Sequence, residues 1–416
     1  MPFGLRSRRV EPVLFAVSVL SGGVSACSSD AKPSGPTWYR DVQPIVQAHC
    51  AACHDAGGPG PVNLTFPPSD PGLYEMSRSG FGSIVAEVDF ADMPYWPADT
   101  ACRHYVHERR LSDAEVHTMD SWLASGAQRG DPNDAPAPPV PTPLERVDLE
   151  LAVTPGYTPK KVNGTADDRC FVLDPALSAA RDVIGFNVVP GSKRAQHAVL
   201  YAMPLAAAQT LDQADADLGY GCFGDADPSA TVVGEFVPGV PAQQYPDGTG
   251  IRLPAGTGLV LKIQYNLQTG PAELDSTHVQ LEFSDSPVPH PARFEAMQNV
   301  AFSIPANATG FKASASFQAT AASTLYGVAP RLQAYGRTAK MSLSQAAGSQ
   351  CLIDIANWDR IWEQAFFFAN PGSFSLAPGD SIKLDCSWDN SDTAAIVPGN
   401  GSMNEACVGN AYLADD

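Results

Sequence analysis

The sequence predicts a multidomain chain, a small all-α domain followed by two all-β sandwiches. Three observations predict it. A Cys-rich motif lies between helix-like stretches in the first third of the chain. A Pro-rich run, Asp131 to Pro143, then reads as a semi-rigid spacer. Beyond it, short runs alternate apolar and polar residues between Gly and Pro turns. A length of 416 residues, 44% hydrophobic and 17% charged, suits two to three globular domains. The net charge of −19 leaves no electrostatic footprint for nucleic acid, so DNA and RNA are excluded as partners.

Residues 1–27 read as an export signal. Arg6, Arg8 and Arg9 precede the apolar run Val13 to Leu20, which is too short to span a bilayer. Val24-Ser25-Ala26-Cys27 resembles the bacterial lipobox, which implies a lipidated Cys27 as mature N-terminus. That implies a place in the bacterial cell envelope, on the periplasmic or outer-surface side, with the membrane met through the lipid anchor only. The alternative is cleavage near Ala26, with Cys27 incidental. Residues 28–36 are small and polar and read as a tether.

Export means an oxidising compartment for the nine cysteines. Cys27 goes to lipid, and Cys50 and Cys53 belong to the motif below. Cys102, Cys170, Cys222, Cys351, Cys386 and Cys407 remain, enough for three disulfides in any of fifteen pairings.

Residues 37–130 form the predicted helical domain. Trp38 to Val46 opens a helix into Cys50-Ala51-Ala52-Cys53-His54, the C-x-x-C-H attachment signature of a c-type haem. Cys50 and Cys53 would each bond a vinyl group, and His54 would be the proximal iron ligand. One haem c is therefore the expected cofactor. Asp55 to Pro68 reads as loop and Phe81 to Val88 as a short helix. Met93, in Asp92-Met93-Pro94-Tyr95-Trp96-Pro97, puts a soft thioether on a Pro-flanked loop and is the expected distal ligand. Met76 competes in a less constrained setting, and Met119 lies in the last helix. His104 or His107 in place of Met93 would give a bis-His haem; with His117 they otherwise read as surface side chains. Ser112 is the N-cap of the last helix, with Glu115 three residues on. The Met-Pro-x-Trp loop and the helix ending at Trp122 and Gly126 resemble the small mono-haem cytochrome c domains of bacterial secreted proteins.

Residues 131–145 are the linker, 146–290 the first sandwich and 291–416 the second. Asp182 to Val189, Leu259 to Tyr265, Val279 to Phe283 and Ser381 to Cys386 are the strongest strand signals. The break falls near Ser284 to Arg293, where Pro287, Pro289 and Pro291 cluster.

A family pattern runs through this half. It includes Asp168-Arg169-Cys170, Gln196-His197-Ala198, Phe236-Val237-Pro238-Gly239, Gln264-Tyr265-Asn266, Pro330-Arg331-Leu332-Gln333, Trp358-Asp359-Arg360-Ile361-Trp362 and Asn404-Glu405-Ala406-Cys407. Order and spacing resemble the copper type II, ascorbate-dependent monooxygenases, relatives of the peptidylglycine hydroxylating enzyme. The resemblance implies two jelly-roll sandwiches facing each other across a cleft. It also implies the disulfides Cys170–Cys222 and Cys386–Cys407, leaving Cys102 and Cys351 either joined, which would lock the domains, or free.

The family holds two coppers with imidazoles and one methionine, donors suited to both copper states. Here five of the six corresponding places carry Gln196, Gln264, Arg331, Gln333 and Ala406, and His197 alone remains. His278 and His290 have no metal-ligand spacing with it. Arg331 would repel a copper ion and needs an anionic partner of its own. Copper and monooxygenase catalysis are therefore not expected. The resulting expectation is a lipid-anchored haem electron-transfer protein with an extracytoplasmic redox partner, the sandwiches serving as binding or docking module. Two alternatives stay open: a copper monooxygenase fed by the haem, and a surface ligand-binding protein with a structural haem.

Overall fold

The computed structural model describes residues 35–416, apart from residues 56–57, 59, 61, 67–68, 70, 90–92, 95, 97, 138–141, 162–165, 269, 370–371, 400 and 402 and the side chains of residues 71, 73, 76 and 361. The signal segment with Cys27, most of the tether, Asp92, Tyr95, Pro97 and the Met76 side chain lie outside the described residues. Gly35–Asp416 forms one compact unit.

The described residues make three sheets. A five-stranded sheet runs Tyr220–Gly221, Ala166–Leu173, Thr257–Asn266, Ala195–Pro204, Thr231–Phe236. A four-stranded sheet runs Phe311–Gln318, Ser381–Trp388, Gly336–Gln345, Gly348–Ile355. The third has ten strands, and its path is Leu149–Ala152, His278–Phe283, Arg181–Val189, Thr249–Leu253, His290–Asn299, Cys407–Asp415, Ser323–Arg331, Phe366–Phe367. All four strand signals of the sequence are strands here. They alternate because one face meets a core: Val183, Phe186, Leu261, Ile263, Val279 and Leu281 are buried in a single apolar cluster.

The expected fold class, a small all-α cytochrome c domain ahead of two all-β jelly-roll sandwiches, needs correction. The described fold is mostly β-sheet, and its helices are few and short. The longest described helix, Asp113–Ala124, has 12 residues. Between the helices Phe81–Asp89 and Asp113–Ala124, the strap from Ala98 to Tyr105 leaves the helical core and joins the second β region. Ala98 and Tyr105 are buried in that region's core, where they bridge to Ile355 and Phe368. The short helices pack Trp38, Tyr74, Phe81 and Trp122 into a small core of their own, while the strap between them packs Ala98 and Tyr105 into the β body. The β-rich body is compatible with jelly rolls, but the expected cleft between two separate ones is closed by a shared sheet. His290 pairs with Thr249, and Ala292 with Ile251, in parallel register across the expected break.

Three disulfides form, Cys170–Cys222, Cys386–Cys407 and Cys102–Cys351. Their number marks an oxidising, non-cytoplasmic compartment. The last spans 249 residues of sequence and fixes the strap to the second sandwich. Among the described residues no helix is long and apolar enough to cross a membrane.

Candidate functional site

The helix Gln43–His49 carries the C-x-x-C-H motif into a second short helical turn, Ala51–His54. The Cys53 and His54 amides both donate to the Cys50 carbonyl, at 3.1 and 2.9 Å. That winding brings both thiols and the imidazole to one wall. An aromatic cluster fixes the helix from behind: Trp38 lies 5.0 Å from Phe66 and 5.7 Å from Trp122, centroid to centroid. The last helix starts with the capping box read from the sequence. The Ser112 hydroxyl accepts from the Glu115 amide at 3.3 Å, and the Ser112 amide donates to the Glu115 carboxylate at 2.8 Å.

These elements enclose a cavity of about 290 Å³. Cys50, Cys53, His54, Met93 and Met119 all line it. Cys50 and Cys53 are free thiols, whereas the other six cysteines of the described region are bridged. Burial raises both thiols, Cys50 to about 12. The His54 ring bonds through Nδ1 to the Val62 carbonyl at 2.8 Å. That bond fixes the tautomer and turns the Nε2 lone pair outward, the arrangement a metal-bound imidazole needs. Gly60 lets the loop close on this ring, since a Cβ there would lie 2.7 Å from His54 Nδ1. Two unpaired thiols, one poised imidazole and two thioethers on a largely apolar wall fit a covalently attached haem. Met93 is 36% exposed and Met119 1%, so the cavity offers one thioether at its mouth and one in its depth. His104 is exposed and bonded to Glu108, and neither it nor His107 lines the cavity.

Sequence reasoning missed four wall residues. His49 bonds the Arg109 carbonyl at 3.1 Å and the Glu115 carboxylate at 3.2 Å. Arg109 comes from the strap, Gly239 from the first sandwich and Trp362 from the second. His49 lies on the motif helix itself, whereas Arg109, Gly239 and Trp362 reach the cavity through tertiary packing that nothing local marks.

Four residues at the positions that the resemblance aligns with copper ligands lie around a second site. His197 and Gln264 face each other on paired strands, and Arg331 and Gln333 join them around a cavity of only about 30 Å³. His197 is buried, its Nε2 without a partner, and burial with nearby Lys262 pushes its pKa down to about 3. Arg331 has the anionic partners the sequence requires: Asp225, gripped through both guanidinium nitrogens, one at 2.7 Å, and Glu363 at 3.4 Å. Burial pushes the Asp225 carboxyl up, yet the Arg331 charge wins and holds it low. Burial lifts Glu363 to about 7, against the pull of Arg331. Ala406 stands apart from this cavity, next to Glu405, which accepts from the Gln333 and Tyr335 amides at 2.8 and 2.7 Å. His278 pairs with Glu150 and His290 with the Asp415 carbonyl, both away from His197.

No family model matches the chain, and no curated protein matches it. The VP2 subviral particle of infectious bursal disease virus aligns with 66% of this chain and 75% of that one, at 11% identity and a TM-score of 0.18. A xanthan lyase from Paenibacillus aligns with 68% of this chain and 28% of the lyase, at 12% identity and a TM-score of 0.17. Likenesses this slight carry no argument about fold or activity.

Proposed function

We propose that this chain is an exported c-type haem electron-transfer protein, lipid-anchored through Cys27, whose β body serves as scaffold and docking module. The observation that carries the reading is the cavity where two free thiols, the Nδ1-tethered His54 and Met93 converge. Haem would supply one-electron exchange there. The chain's residues supply the rest: Cys50 and Cys53 attach it, His54 and Met93 hold its iron, and the apolar wall of Val46, Leu64, Ile84 and Val88 excludes water. The redox partner is extracytoplasmic and, given the net charge of −19, carries a basic surface. The 35–416 unit contributes fixed shape, and the ion pairs around Arg331 support a scaffold role over a copper-based one.

Metal and haem content of the matured protein tests this. The expected result is one iron per chain as covalent haem, no stoichiometric copper, and a Met–iron absorption band in the ferric form that Met93→Ala removes. Two coppers per chain would favour the monooxygenase alternative. A band kept in Met93→Ala but lost in Met119→Ala would move the distal ligand to the deeper thioether.

A further inference from the structure

Arg109 is placed unlike any other arginine on the cavity wall. Its main chain is tied to the motif helix, through His49 Nδ1 and the Arg109 carbonyl at 3.1 Å. Its Nη1 donates to the Pro238 carbonyl of the first sandwich at 2.7 Å. Its guanidinium carbon sits 4.6 Å over the Trp362 ring of the second. That distance is within cation–π range. Gly239 makes room, because a Cβ there would lie 2.9 Å from Ala52 Cβ and 3.1 Å from Arg109 Nη1. Among the described residues no carboxylate is paired with Arg109, and its buried Nε has no hydrogen-bond partner. Cys53 is the ionisable group it feels most. As a thioether that sulfur would be neutral. Glu87, the one carboxylate on the wall, is exposed.

An unpaired, half-desolvated cation is costly to hold, so three separate elements gripping it call for a reason. Cross-linking alone would be met by a neutral donor. A fixed positive charge beside a haem has a definite effect. The ferric state carries one more positive charge than the ferrous, and Coulomb repulsion disfavours it.

Resting on the haem reading above, we propose that the β body, through the Pro238 carbonyl and the Trp362 ring, clamps the Arg109 guanidinium against the haem cavity as a fixed charge that raises the reduction potential. The β body thereby acts on the haem without a cofactor of its own. Arg109 is a positioning and tuning residue, and the electron still passes through the haem alone.

The test uses the full, haem-loaded chain and reads the ferrous-to-ferric ratio at one fixed ambient potential. In Arg109→Gln the ratio is expected to fall about tenfold, the size of a Coulomb interaction at an effective dielectric near 20. Arg109→Lys, which keeps the charge, should stay close to the wild type. Trp362→Leu, which frees the guanidinium face but leaves the charge, should fall about threefold as solvent screens it. If Arg109→Gln fails to mature, Trp362→Leu decides. A haem-loaded Arg109→Gln or Trp362→Leu with the wild-type ratio overturns the inference, and so does an Arg109→Lys that falls as far as Arg109→Gln. A wild-type chain without covalent haem would overturn the haem reading first, and this one with it.

Discussion

The two cavities of this protein differ in what they leave unsatisfied. The one beside the motif helix, about 290 Å³, is lined by two free thiols, the His54 imidazole and two thioethers. The one around His197, about 30 Å³, is crowded by Arg331, which pairs with Asp225 and Glu363, and by Lys262, which donates to the Gly224 carbonyl. The first has room for a bound group. The second has little room for one and uses its charges as internal braces. Burial costs a polar group its solvation in both places, and the second cavity still leaves the His197 Nε2 without a hydrogen-bond partner.

The sharpest way to break this contrast is to remove the donors. Cys50→Ser with Cys53→Ser should abolish covalent haem completely, measured as haem staining that survives denaturation. Because the two hydroxyls would still line the cavity, the fold should change little. Covalent haem in the double variant would mean that the cavity's thiols are not its purpose.

Much of the first cavity was legible because its chemistry is local. Cys50, Cys53 and His54 sit in one helical turn, and Ser112 and Glu115 are three residues apart. Short-range geometry alone places them. The need of Arg331 for an anion was also legible, since it follows from burying a charge. Its partners were not: Asp225 lies 106 residues away in sequence. The same holds for the strap. Tyr105 donates to the Leu352 carbonyl at 2.9 Å and Arg103 to the Cys351 carbonyl at 2.9 Å, pairings no periodicity in residues 96–111 announces. The all-α expectation erred for this reason. The helices gather Trp38, Phe81 and Trp122 in a core of their own, but the stretch between Phe81–Asp89 and Asp113–Ala124 packs Ala98 and Tyr105 into the β body, which no local signal marks. The shared sheet was hidden likewise, since prolines at 287, 289 and 291 read as a break while the chain resumes pairing at His290.

The second cavity can be broken by unpairing it. Arg331→Met should destabilise the protein by about 3–5 kcal/mol, because it strands Asp225 as a buried, uncompensated charge. Removing both charges, Arg331→Met with Asp225→Asn, should recover a large part of that loss. Denaturant titration of the three proteins checks this. An Arg331→Met variant as stable as the wild type would show the braces to be ornamental.

The smallest expected effect separates the carboxylates by pH. Burial lifts the Glu235 carboxyl to about 8, and the nearby Glu363 charge adds to it; its Oε2 has no hydrogen-bond partner. A carboxyl raised in the folded state favours folding while it is protonated there. That contribution is whole below the ordinary glutamate range and is lost as pH rises toward about 8. Glutamine keeps the shape and does not titrate. Glu235→Gln should therefore match the wild type near about pH 4.5 and gain on it by about 1–2 kcal/mol by about pH 8. Denaturation midpoints of the two proteins at both pH values measure the difference. A gap that does not widen with pH would place Glu235 in contact with water, and the second cavity would then be more open than its packing implies.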